Sequence, residues 1–263
     1  MHFIMSSDIT DHPQTSFGFR DVTAKDKPKL VRGVFDSVAR QYDVMNDLMS
    51  GGIHRVWKST FLDRLAPQPG RMLLDMAGGT GDIAAGFLQR ADERPNIGKR
   101  PPAEAIVCDI NFEMLRAGMD RPALTRSRAA RLCADAENIP LPDNSVDQYT
   151  IAFGIRNVTD IPRALREAYR VLKPGGRFSC LEFSHPVIEP MQKIYDQYSF
   201  NVIPWLGEQA VGDRESYQYL VESIRRFPKQ RAFASMIEDA KFARTTVENL
   251  TGGVAAIHSG AKI

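Results

Sequence analysis

The chain has 263 residues, 43% of them hydrophobic and 25% charged, ordinary proportions for a globular protein long enough to bury a full core without staples. Lys and Arg number 34 against 32 Asp and Glu, a net charge of +2, so no global field recruits a polyanion and nucleic acid is not an expected partner. No apolar run approaches the roughly 20 residues that cross a bilayer, and Cys108, Cys133 and Cys180 are too scattered for a metal cluster or a disulfide framework.

Along the chain, residues 1–18 contain Asp8 and Asp11 but no Lys or Arg, which argues against a signal or transit sequence; they read as a flexible N-terminus. Residues 19–263 read as a single domain. Leu30, Val34 and Val38, then Tyr42, Met45, Leu48 and Met49, recur at helical spacing. A second helix is expected over Arg55–Leu65, after Ser50-Gly51-Gly52, and residues 27–65 together form a candidate helical lid in which His54 and Trp57 pack between helices. Beyond Pro67-Gln68-Pro69-Gly70 the pattern alternates strand and helix, the mark of an α/β protein with a parallel sheet. Strands are expected over Arg71–Met76, Ala105–Cys108, Ala129–Cys133, Val146–Phe153 and Arg177–Phe183, with a final hairpin of Ala243–Asn249 and Val254–His258 joined by Leu250-Thr251-Gly252-Gly253. Each cysteine falls in one of these apolar runs and reads as a buried, reduced thiol, which suits a cytoplasmic setting. Glu93–Pro102 is a proline-broken surface loop. Lys173-Pro174-Gly175-Gly176 reads as a turn in which the glycines stop a helix. Residues 186–227 leave the rhythm for an aromatic stretch with Tyr195, Tyr198, Phe200, Trp205, Tyr217 and Tyr219, expected to form a helical cap.

The chemistry is concentrated where strands end. Leu73-Leu74-Asp75-Met76-Ala77-Gly78-Gly79-Thr80-Gly81-Asp82 runs an apolar strand into an acid and then a glycine turn that opens a helix. Gly78, Gly79 and Gly81 let a ligand lie against bare main chain. Gly79–Ala84 also satisfies the G-x-G-x-x-A dinucleotide fingerprint, but carboxylates at Asp75 and Asp82 would repel a pyrophosphate. They favour S-adenosylmethionine, which carries a sulfonium and an ammonium and no phosphate. Asp109, at the end of the second strand, suits both ribose hydroxyls. Asp135 and Ala136, at the end of the third, suit the adenine amino group and a ring nitrogen. A single strand-end Asp is often only a helix cap; three in succession point to a ligand site along the carboxyl edge of the sheet.

Further blocks are more specific: Tyr42-Asp43-Val44-Met45-Asn46-Asp47-Leu48-Met49-Ser50, Gly52-Ile53-His54-Arg55-Val56-Trp57-Lys58, Phe153-Gly154-Ile155-Arg156-Asn157-Val158, Leu181-Glu182-Phe183-Ser184 and Tyr195-Asp196-Gln197-Tyr198-Ser199-Phe200. With these the chain from Phe17 onward resembles the ubiquinone/menaquinone biosynthesis C-methyltransferases. The resemblance implies a Rossmann-like, seven-stranded class I methyltransferase sheet with N-terminal helices and a helical cap insertion. It implies S-adenosyl-L-methionine contacts at Thr80, Asp109, Asp135 and Ala136, and a further contact at Ala152, where the family often has Ser and a hydroxyl is lost here. The implied acceptor is a polyprenylated quinol, demethylmenaquinol or 2-methoxy-6-polyprenyl-1,4-benzoquinol.

Methylating a ring carbon requires an electron-rich ring, and a phenol with a pKa of about 10 needs help to ionise. Arg156 is expected to stabilise the phenolate or orient a water, with Asn157 fixing a ring oxygen; guanidinium stays protonated, so its role is electrostatic. Tyr42 and Asp43 are expected as wall residues where the substrate meets the methionine end of the cofactor, and His185 on the acceptor side. No metal ligand set is expected. A lipid-tailed acceptor implies peripheral contact with the inner face of a membrane, and a homodimer or a quinone-synthesis complex stays open. Two rivals remain at this level: a nicotinamide-dependent Rossmann reductase, which leaves Asp75 unexplained, and a non-catalytic scaffold of the methyltransferase fold.

Overall fold

The computed structural model describes residues 14–38, 47, 50–96, 98–119, 124, 128–187, 192, 197, 204–205, 208 and 214–263. A short antiparallel hairpin, β1 (Gln14–Phe17) and β2 (Arg20–Thr23), leads into α1 (Lys27–Val38). Next come α2 (His54–Leu65), β3 (Met72–Met76), α3 (Asp82–Asp92), β4 (Glu104–Asp109), α4 (Phe112–Ala117), β5 (Ala129–Cys133) and β6 (Val146–Ala152). A 3-10 turn (Ile155–Asn157) precedes α5 (Ile161–Val171) and β7 (Leu172–Phe183), and a second (Thr251–Gly253) lies between the last two strands. The chain closes with α6 (Arg214–Arg226), α7 (Gln230–Asp239), β8 (Ala243–Leu250) and β9 (Ala255–Ala261). One seven-stranded sheet has the order β5-β4-β3-β6-β7-β9-β8. Its strands are parallel except β9, which runs antiparallel to both β7 and β8.

Alternation along the strands divides the core between two faces. Leu73, Leu181 and Phe183 turn toward one, where Trp57, Phe61, Phe87 and Tyr217 pack from α2, α3 and α6. Leu74, Met76, Phe178 and Cys180 turn toward the other, with Tyr149, Leu165, Phe233 and Ile237. Each large side chain so buried contributes about 1.5–3 kcal/mol, and both faces being covered explains why the central strands are nearly continuous apolar runs. His54 and Trp57 are buried as expected, the indole Nε1 donating to Thr251 Oγ1 at 2.9 Å.

All seven expected strands are present, and the sheet is of the expected class. Several local expectations change. Gln14–Phe17, within the stretch read as loose, pair with β2, and the Phe17 ring stacks on Tyr219 at 4.1 Å. Cys133 is exposed, because β5 is an edge strand. The helix before β7 stops at Val171, ahead of the glycines. Gly175 and Gly176 instead exchange backbone hydrogen bonds with Lys262, pinning the start of β7 to the end of β9. Among the described α1 side chains Lys27 and Val31 are buried, while Leu30 of the expected stripe is exposed. In the aromatic stretch, Tyr217 and Tyr219 are buried on α6 and Trp205 is exposed; Tyr195, Tyr198 and Phe200 lie outside the described residues.

Candidate active site

The sheet order reverses between β3 and β6, whose neighbours lie on opposite sides, and a crevice opens there beyond the carboxyl ends of the strands. The cleft encloses about 1110 Å³, its open mouth included. Its floor is the loop after β3 and the ends of β4, β5 and β6, and Pro28, Val31 and Arg32 of α1 form a wall. Asp75, Gly78, Gly79, Thr80, Asp109, Asp135, Ala136, Ala152 and Asn157 all line it. The strand ends bordering it are strained: Ala77 and Phe153, neither a glycine, take φ of 51° and 56°. Such conformations persist only where surrounding structure enforces them, commonly at ligand sites.

The glycine loop is held by backbone and carboxylates together. Gly79 has φ 53° and its N–H donates to Asp109 Oδ2 at 2.9 Å, so the loop rests on the acid at the end of β4. Gly81 caps α3 at φ 85° and does not line the cleft; a side chain there would lie 2.4 Å from Leu124 Cδ1. Asp75 is fully buried beneath the loop, accepting from Thr150 Oγ1 at 2.8 Å and from the Ala84 N–H at 3.2 Å, so it ties β3 to β6 and to the first turn of α3. Burial pushes its carboxyl up to about 7, against the opposing pull of those two donors. Burial also raises Asp109 to about 6, opposed by the N–H groups of Asn111 and Gly79. Asp109 Oδ1 takes the Asn111 N–H at 2.8 Å, and Asp135 Oδ1 takes the Glu137 N–H at 2.9 Å. Each carboxylate oxygen keeps further acceptor capacity for a ligand. Lys58 Nζ, the ammonium at this end of the cleft, is matched by Asp82 Oδ2 at 2.8 Å. A pyrophosphate would meet the Asp75 and Asp109 carboxyls here, whereas hydroxyls, an amine and a sulfonium would meet acceptors. The donor set fits S-adenosylmethionine.

On the acceptor side the structure revises the sequence reading. Asn157 ends the 3-10 turn and faces the cleft, but Arg156 does not reach it. The Arg156 side chain, 2% exposed, turns inward to Glu182 Oε1 at 2.8 Å and the Phe153 carbonyl at 2.6 Å, with its guanidinium 5.8 Å from the Phe183 ring centroid. The reason is electrostatic: Glu182 is equally buried on β7, and an isolated charge at either position would be far costlier than the pair. Burial pushes the Glu182 carboxyl up, and the Arg156 guanidinium draws it back. Asp160, four residues along the chain, is not its partner and caps α5 by accepting from the Arg163 N–H. His185 is also drawn away, its Nε2–H donating to the Phe227 carbonyl at 2.9 Å. Tyr42 and Asp43 lie outside the described residues.

The sequence reading passed over residues that hold this geometry. Glu137 Oε1 accepts from the N–H groups of Thr159 and Asp160 and so binds the end of β5 to the loop after β6. Lys27 Nζ donates to the Val158 carbonyl at 2.9 Å, fastening α1 to the same loop; burial lowers its ammonium to about 8, against the attraction of Glu137. Asn111 caps α4 by accepting from Glu113 and Met114, and its position two residues after Asp109, just ahead of a helix, was a legible signal.

The profile of the ubiE/COQ5 methyltransferase family matches residues 21–262. The chain belongs to that family. It is 58% identical over 248 residues to the ubiquinone/menaquinone biosynthesis C-methyltransferase UbiE of Caulobacter vibrioides, covering 93% of this chain and 96% of that one. It is 54% identical over 257 residues to the mitochondrial 2-methoxy-6-polyprenyl-1,4-benzoquinol methylase of Drosophila melanogaster, covering 95% and 85%. Among solved structures, a SAM-dependent methyltransferase of Thermotoga maritima matches with a TM-score of 0.57 at 19% identity, over 88% of this chain and 100% of its own. At that identity the likeness speaks for the fold, which is that of the class I methyltransferases. This member of the family is an S-adenosylmethionine-dependent enzyme, and its cleft acids set how affinity should vary with pH. Because burial raises Asp75 and Asp109, the empty protein favours their protonated forms, and their ionisation costs stability as pH rises from about 4 through 6 and 7. A cationic cofactor favours the ionised forms. Affinity for S-adenosylmethionine is therefore expected to rise between pH 5 and 7, by up to about tenfold per pH unit for each proton released. Calorimetry in buffers of different ionisation enthalpy would read that release, and a flat profile would remove these two acids from cofactor recognition.

Proposed function

We propose that the chain transfers a methyl group from S-adenosylmethionine to a ring carbon of a polyprenylated quinol, demethylmenaquinol or 2-methoxy-6-polyprenyl-1,4-benzoquinol, in menaquinone or ubiquinone synthesis. The observation carrying this reading is a single cleft that joins an acid-lined nucleoside site to a polar amide, Asn157, at the mouth of the loop after β6, in a chain more than half identical to a ubiquinone/menaquinone biosynthesis C-methyltransferase and to a 2-methoxy-6-polyprenyl-1,4-benzoquinol methylase. When bound, S-adenosylmethionine supplies an electrophilic methyl group. Asp109 holds its ribose and Asp135 with Ala136 its base, while α1 covers the cleft and excludes water. Asn157 donates to a ring oxygen and favours its phenolate form, which pushes electron density to the neighbouring carbon. After the new carbon–carbon bond forms, that carbon's proton leaves to solvent and aromaticity returns. In this reading Arg156 is a strut beneath the acceptor side. The acceptor's lipid tail brings the protein to a membrane surface; among the described residues no helix is long and apolar enough to cross one.

The test is incubation of the purified protein with S-adenosylmethionine and a reduced, geranyl-tailed 2-methoxybenzoquinol or demethylmenaquinol. The expected result is one S-adenosylhomocysteine per product molecule, with the new methyl on ring carbon by NMR. Cofactor binding without turnover of either quinol would favour the scaffold reading, and an O-methyl product would refute carbon as the nucleophile.

A further inference from the structure

Tyr219 lies on α6, more than sixty positions along the chain from the turn it touches, yet its hydroxyl donates to Asn157 Oδ1 at 2.9 Å. The phenol is almost fully buried, and burial raises its pKa above the ordinary value, so it keeps the proton it donates. A primary amide has two ends, and a donor on the oxygen fixes which end is which, turning the Nδ2 hydrogens away from Tyr219. Asn157 itself lines the cleft. The ring of Tyr219 is held in turn by a near-parallel stack on Phe17, with centroids 4.1 Å apart and planes 19° from parallel. Phe17 carries Arg20 against its ring at 5.1 Å. The N-terminal hairpin, α6 and the 3-10 turn thus meet in one line of contacts that ends at the cleft.

We propose that Tyr219 is a positioning residue for methyl transfer: its O–H fixes the Asn157 amide so that Nδ2 is presented as a donor to a ring oxygen of the acceptor, with Phe17 as its backing. This rests on the quinol methyltransferase reading and adds a specificity consequence. A site whose amide is locked as a donor selects an acceptor ring bearing an oxygen next to the methylated carbon, and an analogue with hydrogen at that place is bound and turned over poorly. Without the Tyr219 hydroxyl the amide can flip and offer its oxygen, which repels a phenolate.

The experiment is a double-mutant cycle of Tyr219→Phe and Asn157→Ala, read with reduced 6-geranyl-2-methoxy-1,4-benzoquinol. Binding of S-adenosylhomocysteine and of the quinol to the S-adenosylhomocysteine-loaded protein are measured beside turnover. Tyr219→Phe keeps the ring stack, so S-adenosylhomocysteine affinity should match the wild type and the melting temperature should fall by no more than about 2–4 °C. Its kcat should fall about tenfold, the scale of one lost hydrogen bond. In the Asn157→Ala background the same substitution should change nothing. Full turnover in Tyr219→Phe, or an equal loss with and without Asn157, would overturn the proposal. If the wild-type chain binds S-adenosylhomocysteine but methylates no quinol, the underlying reading has failed, and this inference falls with it.

Discussion

Glu182→Gln is expected to lower the unfolding free energy by about 3–5 kcal/mol, the cost of leaving a buried charge without its partner. Glu182 takes the Arg156 guanidinium at 2.8 Å and the Phe183 N–H at 2.9 Å, at a place where both side chains are almost wholly out of water. The amide of Gln could still accept from one donor, but it offers no charge to the guanidinium, whose Nε already lacks a hydrogen-bond partner. Arg156→Ala should also destabilise, though less, because a lone buried carboxyl can protonate while a lone guanidinium cannot. Arg156→Met combined with Glu182→Leu should recover most of the loss, since an apolar pair of similar volume often replaces a buried ion pair without penalty. Urea denaturation of the four proteins measures this directly. Turnover of the double variant then separates two roles for Arg156. A stable, active double variant leaves the arginine as a strut; a stable, inactive one returns it to the chemistry that the sequence had suggested.

Asp109→Ala is expected to weaken S-adenosylhomocysteine binding about a hundredfold. Two hydrogen bonds from ribose hydroxyls to a carboxylate would be lost, together roughly 3 kcal/mol. The glycine loop would also lose its support, because the Gly79 N–H rests on the same side chain. The empty protein should change little in melting temperature. Removing a carboxyl that burial raises to about 6 relieves a cost of ionisation at neutral pH, while the N–H groups of Gly79 and Asn111 lose an acceptor. Asp109→Asn keeps one acceptor oxygen and should lose only about tenfold. Calorimetric titration of both variants checks the order, and unchanged binding in Asp109→Ala would mean that the ribose lies elsewhere.

What could be read from the sequence was local. The acids at Asp75, Asp109 and Asp135 each end a strand, and strand ends are visible in a one-dimensional pattern; adjacent parallel strands then bring them into one cleft. The inward turn of Arg156 was illegible for the opposite reason. Glu182 stood in view within Leu181-Glu182-Phe183-Ser184, but the pair forms only because Ala152 sits beside Leu181 in the β6–β7 register. No local spacing encodes that register. The same holds for Tyr219 and Asn157, and for Lys27 and Val158, which meet across long stretches of chain. The β1–β2 hairpin was missed because four-residue strands carry too little alternation to stand out from an irregular terminus. Cys133 was misjudged because an apolar strand at the edge of a sheet reads like one in the middle.

The place of β9 in the sheet has a consequence for biosynthesis. It lies between β7 and β8 and hydrogen-bonds to both. Until residue 261 has emerged from the ribosome, β7 presents an open edge, and His258, Ile257 and Ala256 are absent from the core that they complete. A nascent chain in this state exposes an apolar strand edge of the kind that pairs with neighbouring chains. Final folding therefore waits on β9, and a chain that ends or stalls before it would be an aggregation-prone intermediate rather than a nearly finished enzyme.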